Sequence, residues 1–116
     1  MLVSFNTALT ALRAFDIKMD VNANNIANAN TDKFKKSRVN MQEASQGGVQ
    51  VTIEQINTPG ISLGANERTG EKPESSNVGL AEEIVDQMIT QYAFEANVLV
   101  VKTANEMEKT LLNIMS

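Results

Sequence analysis

The chain of 116 residues contains no cysteine, no histidine and no tryptophan, and only 4% of it is aromatic. The absence of cysteine excludes disulfides, thiolate nucleophiles and the commonest zinc sites. The absence of histidine excludes the usual nucleophile and base pairs of covalent catalysis. No apolar run is long enough to span a bilayer. We therefore predict a protein that is not an enzyme, with no catalytic residues, no metal, no cofactor and no small-molecule substrate, and one that is not embedded in a membrane.

Two charged clusters remain as candidates for chemistry or binding. Glu82, Glu83 and Asp86 fall in the first turns of a predicted helix, where carboxylates complement the helix dipole. The basic run over residues 33–38 resembles a nucleic-acid patch, but the chain carries a net charge of −4 with a pI near 4.8. Several phosphate contacts are needed to hold nucleic acid at physiological salt. We therefore predict no catalytic carboxylate pair and no nucleic-acid partner.

An apolar residue recurs at every seventh position in the first part of the chain. Ala8 and Phe15 follow the first two of these by three positions, which gives the a/d spacing of a helix that packs along another helix. This first seam consists of Phe5, Leu12, Met19 and Ile26.

A second seam with the same spacing lies near the end of the chain. It consists of Ala93, Val100, Met107 and Ile114. Further apolar residues widen this stripe beyond what one partner helix would cover. No glycine or proline occurs from Leu80 to Ile114, so the pattern predicts a helix of about 50 Å. A compact globule of this mass would be only about 30 Å across, so we predict a rod.

The middle of the chain has the pattern of a short β-hairpin and a loop. Val49, Val51 and Ile53 alternate with polar residues, which predicts a half-buried strand. Residues 61–63 are predicted to return as its partner after a turn at Pro59-Gly60, and residues 64–79 are predicted to be a loop. The predicted fold is mainly α with a small β part: an elongated, coiled-coil-like pair of N- and C-terminal helices with a short hairpin and loop between them.

These features divide the chain into three predicted regions. Residues 1–39 hold the first helix and its asparagine-rich end, residues 40–76 the hairpin and loop, and residues 77–116 the C-terminal assembly helix. Charge is divided as well, because residues 1–40 carry a balance of +3 and the rest −7. Opposite charge on the two parts favours side-by-side or head-to-tail packing between copies.

Two motifs at opposite ends of the chain resemble the terminal signatures of bacterial flagellar rod and hook proteins. The first covers residues 4–9, 19–21 and 24–31 and leads into Phe34-Lys35; five of the nine residues over 23–31 carry small polar side chains. The second covers residues 77–78, 80–83, 88–89, 91–97 and 102–107. Within the family, the motif residues and the length of the chain are most similar to those of proximal-rod proteins of the FlgC type. The motif positions that we single out are Asn24, Asn25, Ile26, Ala27, Asn28, Asn30, Thr31, Glu95, Ala96 and Asn97.

The resemblance implies a structural subunit of the basal-body rod, located in the periplasm. Such a subunit is exported by the flagellar type III apparatus without a cleaved signal peptide. Its terminal helices would polymerise with copies of itself and with other rod subunits into the axial drive shaft for motility. Periodicity alone leaves open an intramolecular helix pair, a plain coiled-coil dimer, or one layer of a larger tube. The alternative function is a cytosolic coiled-coil dimer or adaptor with no catalytic role.

Overall fold

The computed structural model describes residues 2–65 and 68–115. The elements follow in the order α1 (Leu2–Ala27), β1 (Ser37–Glu43), β2 (Val49–Gln55) and α2 (Leu80–Met115). This order confirms the predicted fold, which is mainly helical with a small antiparallel hairpin between an N-terminal and a C-terminal helix. Strand β1 begins before residue 40 and so crosses the first predicted region boundary; the three-region division itself stays a prediction.

The two helices run antiparallel, as two polar contacts between them show. Lys18 Nζ lies 3.1 Å from Asp86 Oδ1, and Asn22 Nδ2 donates to Glu83 Oε2 at 2.7 Å. Position along α1 therefore increases as position along α2 decreases. Neither helix contains glycine or proline in its interior, which allows both to remain continuous over many turns. Neither described helix is long and apolar enough to cross a membrane.

The molecule is a thin rod with almost no apolar core. Its principal extents are 81 × 26 × 14 Å, and its radius of gyration is 20.6 Å, against about 13 Å for a compact chain of this length. The accessible surface is 8337 Å², about 2,100 Å² more than a compact monomer of this mass exposes. Among the described residues, the only apolar side chains that are buried are Ala8 and Ala14. This shape confirms the predicted rod.

The hairpin pairs different segments from those that the sequence indicated. Strand β2 pairs antiparallel with β1, with Val39 opposite Ile53 and Met41 opposite Val51. The prediction that residues 61–63 would pair with the strand at 49–53 was therefore wrong. Only Ser62 of that segment forms a bridge, and its partner is Glu74. Strands β1 and β2 have seven residues each and are joined by a short turn, so they pair along their whole length. A three-residue strand at residues 61–63 would offer β2 too few hydrogen bonds to replace β1.

The hairpin lies along α1 and is attached to it at both ends. At one end, Ser37 bonds to the side chain of Asn25 near the end of α1. At the other end, Val49 N donates to Thr10 Oγ1 at 3.0 Å. The turn before β2 brings Gly48 against Thr10 with a φ of +87°, a conformation that glycine adopts without strain. Helix α1 thus contacts both the hairpin and α2.

Candidate assembly interface

The asparagine-rich end of α1 bonds to neighbouring backbone. Asn25 is buried, its Nδ2 donates to Ser37 O at 2.8 Å, and its Oδ1 accepts from Ser37 N at 3.1 Å. Asn28 Nδ2 donates to Asn24 O at 2.9 Å, which adds a second bond to a carbonyl that already accepts from Asn28 N. Thr31 Oγ1 in turn donates to Asn28 Oδ1. These side chains end α1 and attach the next segment to it.

Most of the other residues in the two motifs are exposed to solvent. Asn24, Ala27, Asn30, Glu95 and Ala96 are exposed, whereas Ile26 and Asn97 are half-buried. Asn97 Nδ2 donates to Ala93 O within α2 at 3.4 Å, and Glu95 Oε1 accepts from Gln91 Nε2 at the same distance. The second motif therefore contributes surface along α2 and no contact with α1 through these side chains.

Asn77 joins three segments just before α2 begins. Its Oδ1 accepts from Lys36 N at 2.7 Å, and its Nδ2 donates to Ile56 O at 2.7 Å and to Thr58 O at 3.0 Å. Lys35 reinforces the same region, because its Nζ lies 2.6 Å from Glu74 Oε1. The start of β1, the end of β2 and the start of α2 are consequently held together at one end of the rod.

The eight seam residues are only partly covered within one chain. Phe5, Leu12, Met19, Ile26 and Ala93 are half-buried. The other three residues are mostly exposed, with exposed fractions of 50% for Val100, 57% for Met107 and 77% for Ile114. The predicted contact between the two seams stays a prediction, and within one chain the last two residues lie beyond the reach of α1.

That reach follows from the helix register. The contacts of Lys18 with Asp86 and of Asn22 with Glu83 place Leu2 opposite about residue 102 of α2. Past this point α2 continues for about 20 Å without α1 beside it. We call residues 103–115 the α2 extension. Only Ala104 in the extension is half-buried, and its other residues are exposed.

An exposed apolar face runs along the whole of α2. Its members recur at spacings of three, four and seven residues, which places them on one side of the helix. They are Val85, Met88, Ile89, Tyr92, Leu99, Val100, Met107, Leu111 and Ile114, and all are exposed. Apolar surface of this length is far more than isolated surface residues provide, and such patches mark interaction sites.

A groove lies where α1, β1 and the first turns of α2 meet. Its volume is about 420 Å³, and its polar lining includes Asn22, Glu83 and Asp86 together with the basic residues Lys18, Lys36 and Arg38. Asn22 Nδ2 donates to both carboxylates, at 2.7 Å to Glu83 and 3.1 Å to Asp86. Among residues 2–65 and 68–115, no group of three or more acidic side chains is arranged to hold a metal ion.

Sequence reasoning did not identify the contacts by which Asn22, Asn77 and Thr10 position the hairpin and the groove. Asn77 begins the second motif, but nothing in its spacing indicates its bonds to Lys36, Ile56 and Thr58. Asn22 and Thr10 lie on α1, and their partners are far away in the sequence. The predicted effect of the charge division on packing between copies stays a prediction. Within one chain, the antiparallel helices bring Lys18 of the basic part beside Asp86 of the acidic part.

A long helix pair that leaves one apolar face uncovered is the architecture of a subunit that packs against other subunits. The family profile described as flagella basal body rod protein matches residues 5–35. The profile described as the C-terminal part of the flagellar basal body rod FlgEFG proteins matches residues 74–114. The two profiles cover α1 with its asparagine-rich end and nearly all of α2.

Two relatives agree with these profiles. The chain is 32% identical over 96 residues to the flagellar hook protein FlgE of Borreliella burgdorferi, a match that covers 83% of this chain and 20% of that protein. It is 37% identical over 75 residues to the flagellar basal-body rod protein FlgG of Bacillus subtilis, which covers 60% of this chain and 28% of that protein. The chain belongs to the flagellar rod and hook protein family. It spans less than a third of the length of either relative.

Proposed function

We propose that this chain is a structural subunit of the bacterial flagellar basal-body rod, with no catalytic role. Its two helices pack against those of neighbouring subunits to form the axial shaft that drives motility. The observation that carries the proposal is the exposed apolar face of α2, which lies within the region matched by the rod-protein profile. Contacts that do not close into a ring build helical tubes, which is the geometry that a shaft requires.

The seam residues have a specific place in this proposal. Val100, Met107 and Ile114 contact neighbouring subunits, because α1 of the same chain leaves them exposed. The half-buried residues of the first seam pack α1 against α2, and contact with neighbouring subunits in the tube buries these residues fully. The excess surface of about 2,100 Å² supports this division, because a standard specific interface buries about 1,600 Å².

The partners and location belong to the same proposal. The chain assembles with copies of itself and with other rod subunits in the periplasm, and the flagellar export apparatus delivers it there. The printed names of the two relatives, a hook protein and a rod protein, support a flagellar location. The residues of the two motifs and the length of the chain support a FlgC-type position in the rod. The matched C-terminal profile does not itself support that position, because it describes FlgEFG proteins.

Deletion of the gene in its flagellated host tests the proposal. We expect non-motile cells without hooks, with motility restored by the wild-type gene supplied in trans. The protein should also be present in purified hook–basal bodies. A motile, normally flagellated deletion strain would contradict the proposal. A protein found only in the cytosol, as a dimer, would favour the coiled-coil adaptor instead.

A further inference from the structure

The side of α2 that faces α1 is polar in the part that α1 covers. Glu83 and Thr90 are buried there, and Asp86 is half-buried. At spacings that keep residues on one side of a helix, the same side continues through Leu111 and Met115 of the α2 extension, whose exposed fractions are 54% and 77%. Helix α1 therefore packs on the polar part of this side and leaves the apolar part uncovered. Burial of apolar surface alone would favour the opposite choice.

The two seams would match better in another alignment of the helices. The register of the structure places Phe5 opposite Val100 and Leu12 opposite Ala93, and the other seam residues have no seam partner within the chain. A shift of α1 by two heptads toward the end of α2, about 21 Å, would place all four residues of one seam opposite all four of the other. The α2 extension has about this length. Seven-residue periodicity therefore does not select the observed register.

The connections between the elements permit such a shift. The hairpin is bonded to α1 through Asn25 and Thr10, so it would move with α1. Residues 56–79 connect the hairpin to α2, and a segment of that length reaches up to about 80 Å when extended. The register is consequently determined by contacts and not by the length of the connection.

Asn22 makes the buried polar contacts between the two helices. It is 3% exposed, and its Nδ2 donates to Glu83 Oε2 at 2.7 Å and to Asp86 Oδ2 at 3.1 Å. Its Oδ1 is buried and has no hydrogen-bond partner within the described residues, so the presence of an asparagine here costs stability. A polar residue between packed helices fixes their register at such a cost. The ion pair of Lys18 with Asp86 is more exposed and contributes less.

We propose that Asn22, through its bonds to Glu83 and Asp86, selects the observed register and thereby keeps the α2 extension uncovered. A shift of α1 by one or two heptads would break both bonds and would place apolar residues of α1 on the extension. With the register held, the apolar part of α2 remains available to a helix of a neighbouring chain. The selection of the register is independent of the proposed function, whereas the use of the uncovered extension in association rests on it.

Disulfide trapping measures the register directly, because the chain has no cysteine of its own. Ala11→Cys with Ala93→Cys reports the observed register, in which these two positions lie opposite each other. Ala11→Cys with Val100→Cys or with Met107→Cys reports a shift by one or two heptads. Under mild oxidation of the dilute chain, only the first pair should close readily within one chain. The mass of the product separates bridges within a chain from bridges between chains.

Asn22→Asp keeps the size of the side chain and replaces its donor by a third carboxylate beside Glu83 and Asp86. The shifted pairs should then close at least roughly tenfold faster than in the wild-type background. Asn24→Asp is the matched control, since it adds the same charge at an exposed position two residues away and should leave every rate unchanged.

Two further variants separate a shift from repulsion and from unfolding. Asn22→Ala combined with Glu83→Ala removes the contact without adding charge and should also favour the shifted pairs. Ala11→Cys with Ala96→Cys should close in neither register, because Ala96 lies on another side of α2. Closure of that pair in the Asn22→Asp background would show general loss of structure and would overturn the inference.

The junction at Asn77 is the rival determinant of the register. It bonds Lys36 and Ile56, which would move with α1, to the segment before α2. If Asn77→Ala released the shifted pairs and Asn22→Asp did not, the junction would set the register. A wild-type trapping pattern in Asn22→Asp would overturn the inference whatever the result with Asn77→Ala.

Sedimentation equilibrium connects the register to assembly. A shifted α1 would cover the α2 extension, so Asn22→Asp should associate at least roughly tenfold more weakly than Asn24→Asp. Shifted trapping with undiminished association would overturn the role of the uncovered extension. A wild-type chain that stays monomeric at every concentration would overturn that role together with the proposed function, whereas the register is judged by trapping of the dilute chain alone.

Discussion

The side-chain amide of Asn25 pairs with both backbone groups of Ser37, as an adjacent strand would. Nδ2 donates to the carbonyl at 2.8 Å, while Oδ1 accepts from the amide at 3.1 Å. One side chain thereby attaches the first residue of β1 to the last turns of α1. Because Asn25 is buried, water cannot replace it readily.

Substitution of Asn25 by alanine should lower the free energy of unfolding by about 1–3 kcal/mol, because the amide and carbonyl of Ser37 would lose their partners. Asn24→Ala is the matched control, since Asn24 is an exposed neighbour in the same motif. Urea unfolding followed by circular dichroism measures both variants. Equal losses in the two variants would show that general helix propensity, and not the bond to Ser37, sets the effect.

Asn77→Ala should release the junction at the start of α2 while leaving both helices formed. The amide of Lys36 would lose its acceptor, and the carbonyls of Ile56 and Thr58 would lose a donor. Hydrogen exchange at Lys36 should then accelerate by at least about fivefold, from the loss of a bond worth ~1 kcal/mol or more. Exchange in an Asn57→Ala variant, which alters an exposed residue nearby, should match wild type.

The two glycines of the hairpin turn should respond differently to alanine. Both have a φ of +87°, so each substitution carries a similar backbone strain of about 1 kcal/mol. A Cβ at residue 47 would meet nothing within 4 Å, whereas one at residue 48 would lie 2.7 Å from Thr10 Oγ1. Gly48→Ala should therefore be the more destabilising by about 1–3 kcal/mol.

Thermal unfolding of the two alanine variants measures that difference, and a third variant identifies its source. Thr10→Ala alone removes the acceptor of Val49 N, so it is measured as well. The double variant should lose less stability than the sum of the two single variants, because Thr10→Ala also removes the atom that the new Cβ would meet. If the two glycine variants were equally destabilised, or if the losses from Thr10→Ala and Gly48→Ala were additive, the hairpin would not approach α1 as closely as described.

Leu12→Ala and Met107→Ala should separate folding from assembly. Leu12 is half-buried within one chain, so its truncation should destabilise the dilute monomer by about 1–2 kcal/mol and assembled protein by as much as ~2–5 kcal/mol. Met107 is 57% exposed, so its truncation should leave the monomer unchanged and weaken only association. Unfolding at low and high protein concentration makes the comparison. A destabilised Met107→Ala monomer would contradict this assignment.

The extent of the helices could be predicted from the sequence because their signals are local. Apolar residues at seven-residue spacing, and the absence of glycine and proline from Leu80 onward, indicated two long helices before any contact was known. The alternation of Val49, Val51 and Ile53 likewise indicated a strand. Each of these patterns lies within a single element.

The strand partner and the groove depended on contacts between distant parts of the chain. Residues 37–43 are fixed as a strand by Asn25 and by pairing with β2, and neither effect is visible in their own alternation. Asn22, Glu83 and Asp86 meet only because Lys18 and its neighbours set the helix register. Periodicity identified the apolar stripe of α2, but the register determined which part of it α1 leaves uncovered.

The near absence of an apolar core has a calorimetric consequence. The heat-capacity change of unfolding comes mainly from apolar surface that becomes hydrated, and among the side chains that the structure describes only two apolar ones, Ala8 and Ala14, are buried. The isolated chain should therefore unfold with a heat-capacity change below the usual ~12–15 cal/mol/K per residue. Association should in turn carry a large negative heat-capacity change as the face of α2 is covered. In the proposed assembly, most of the heat released or absorbed through apolar hydration would therefore accompany association between chains and not the folding of one chain.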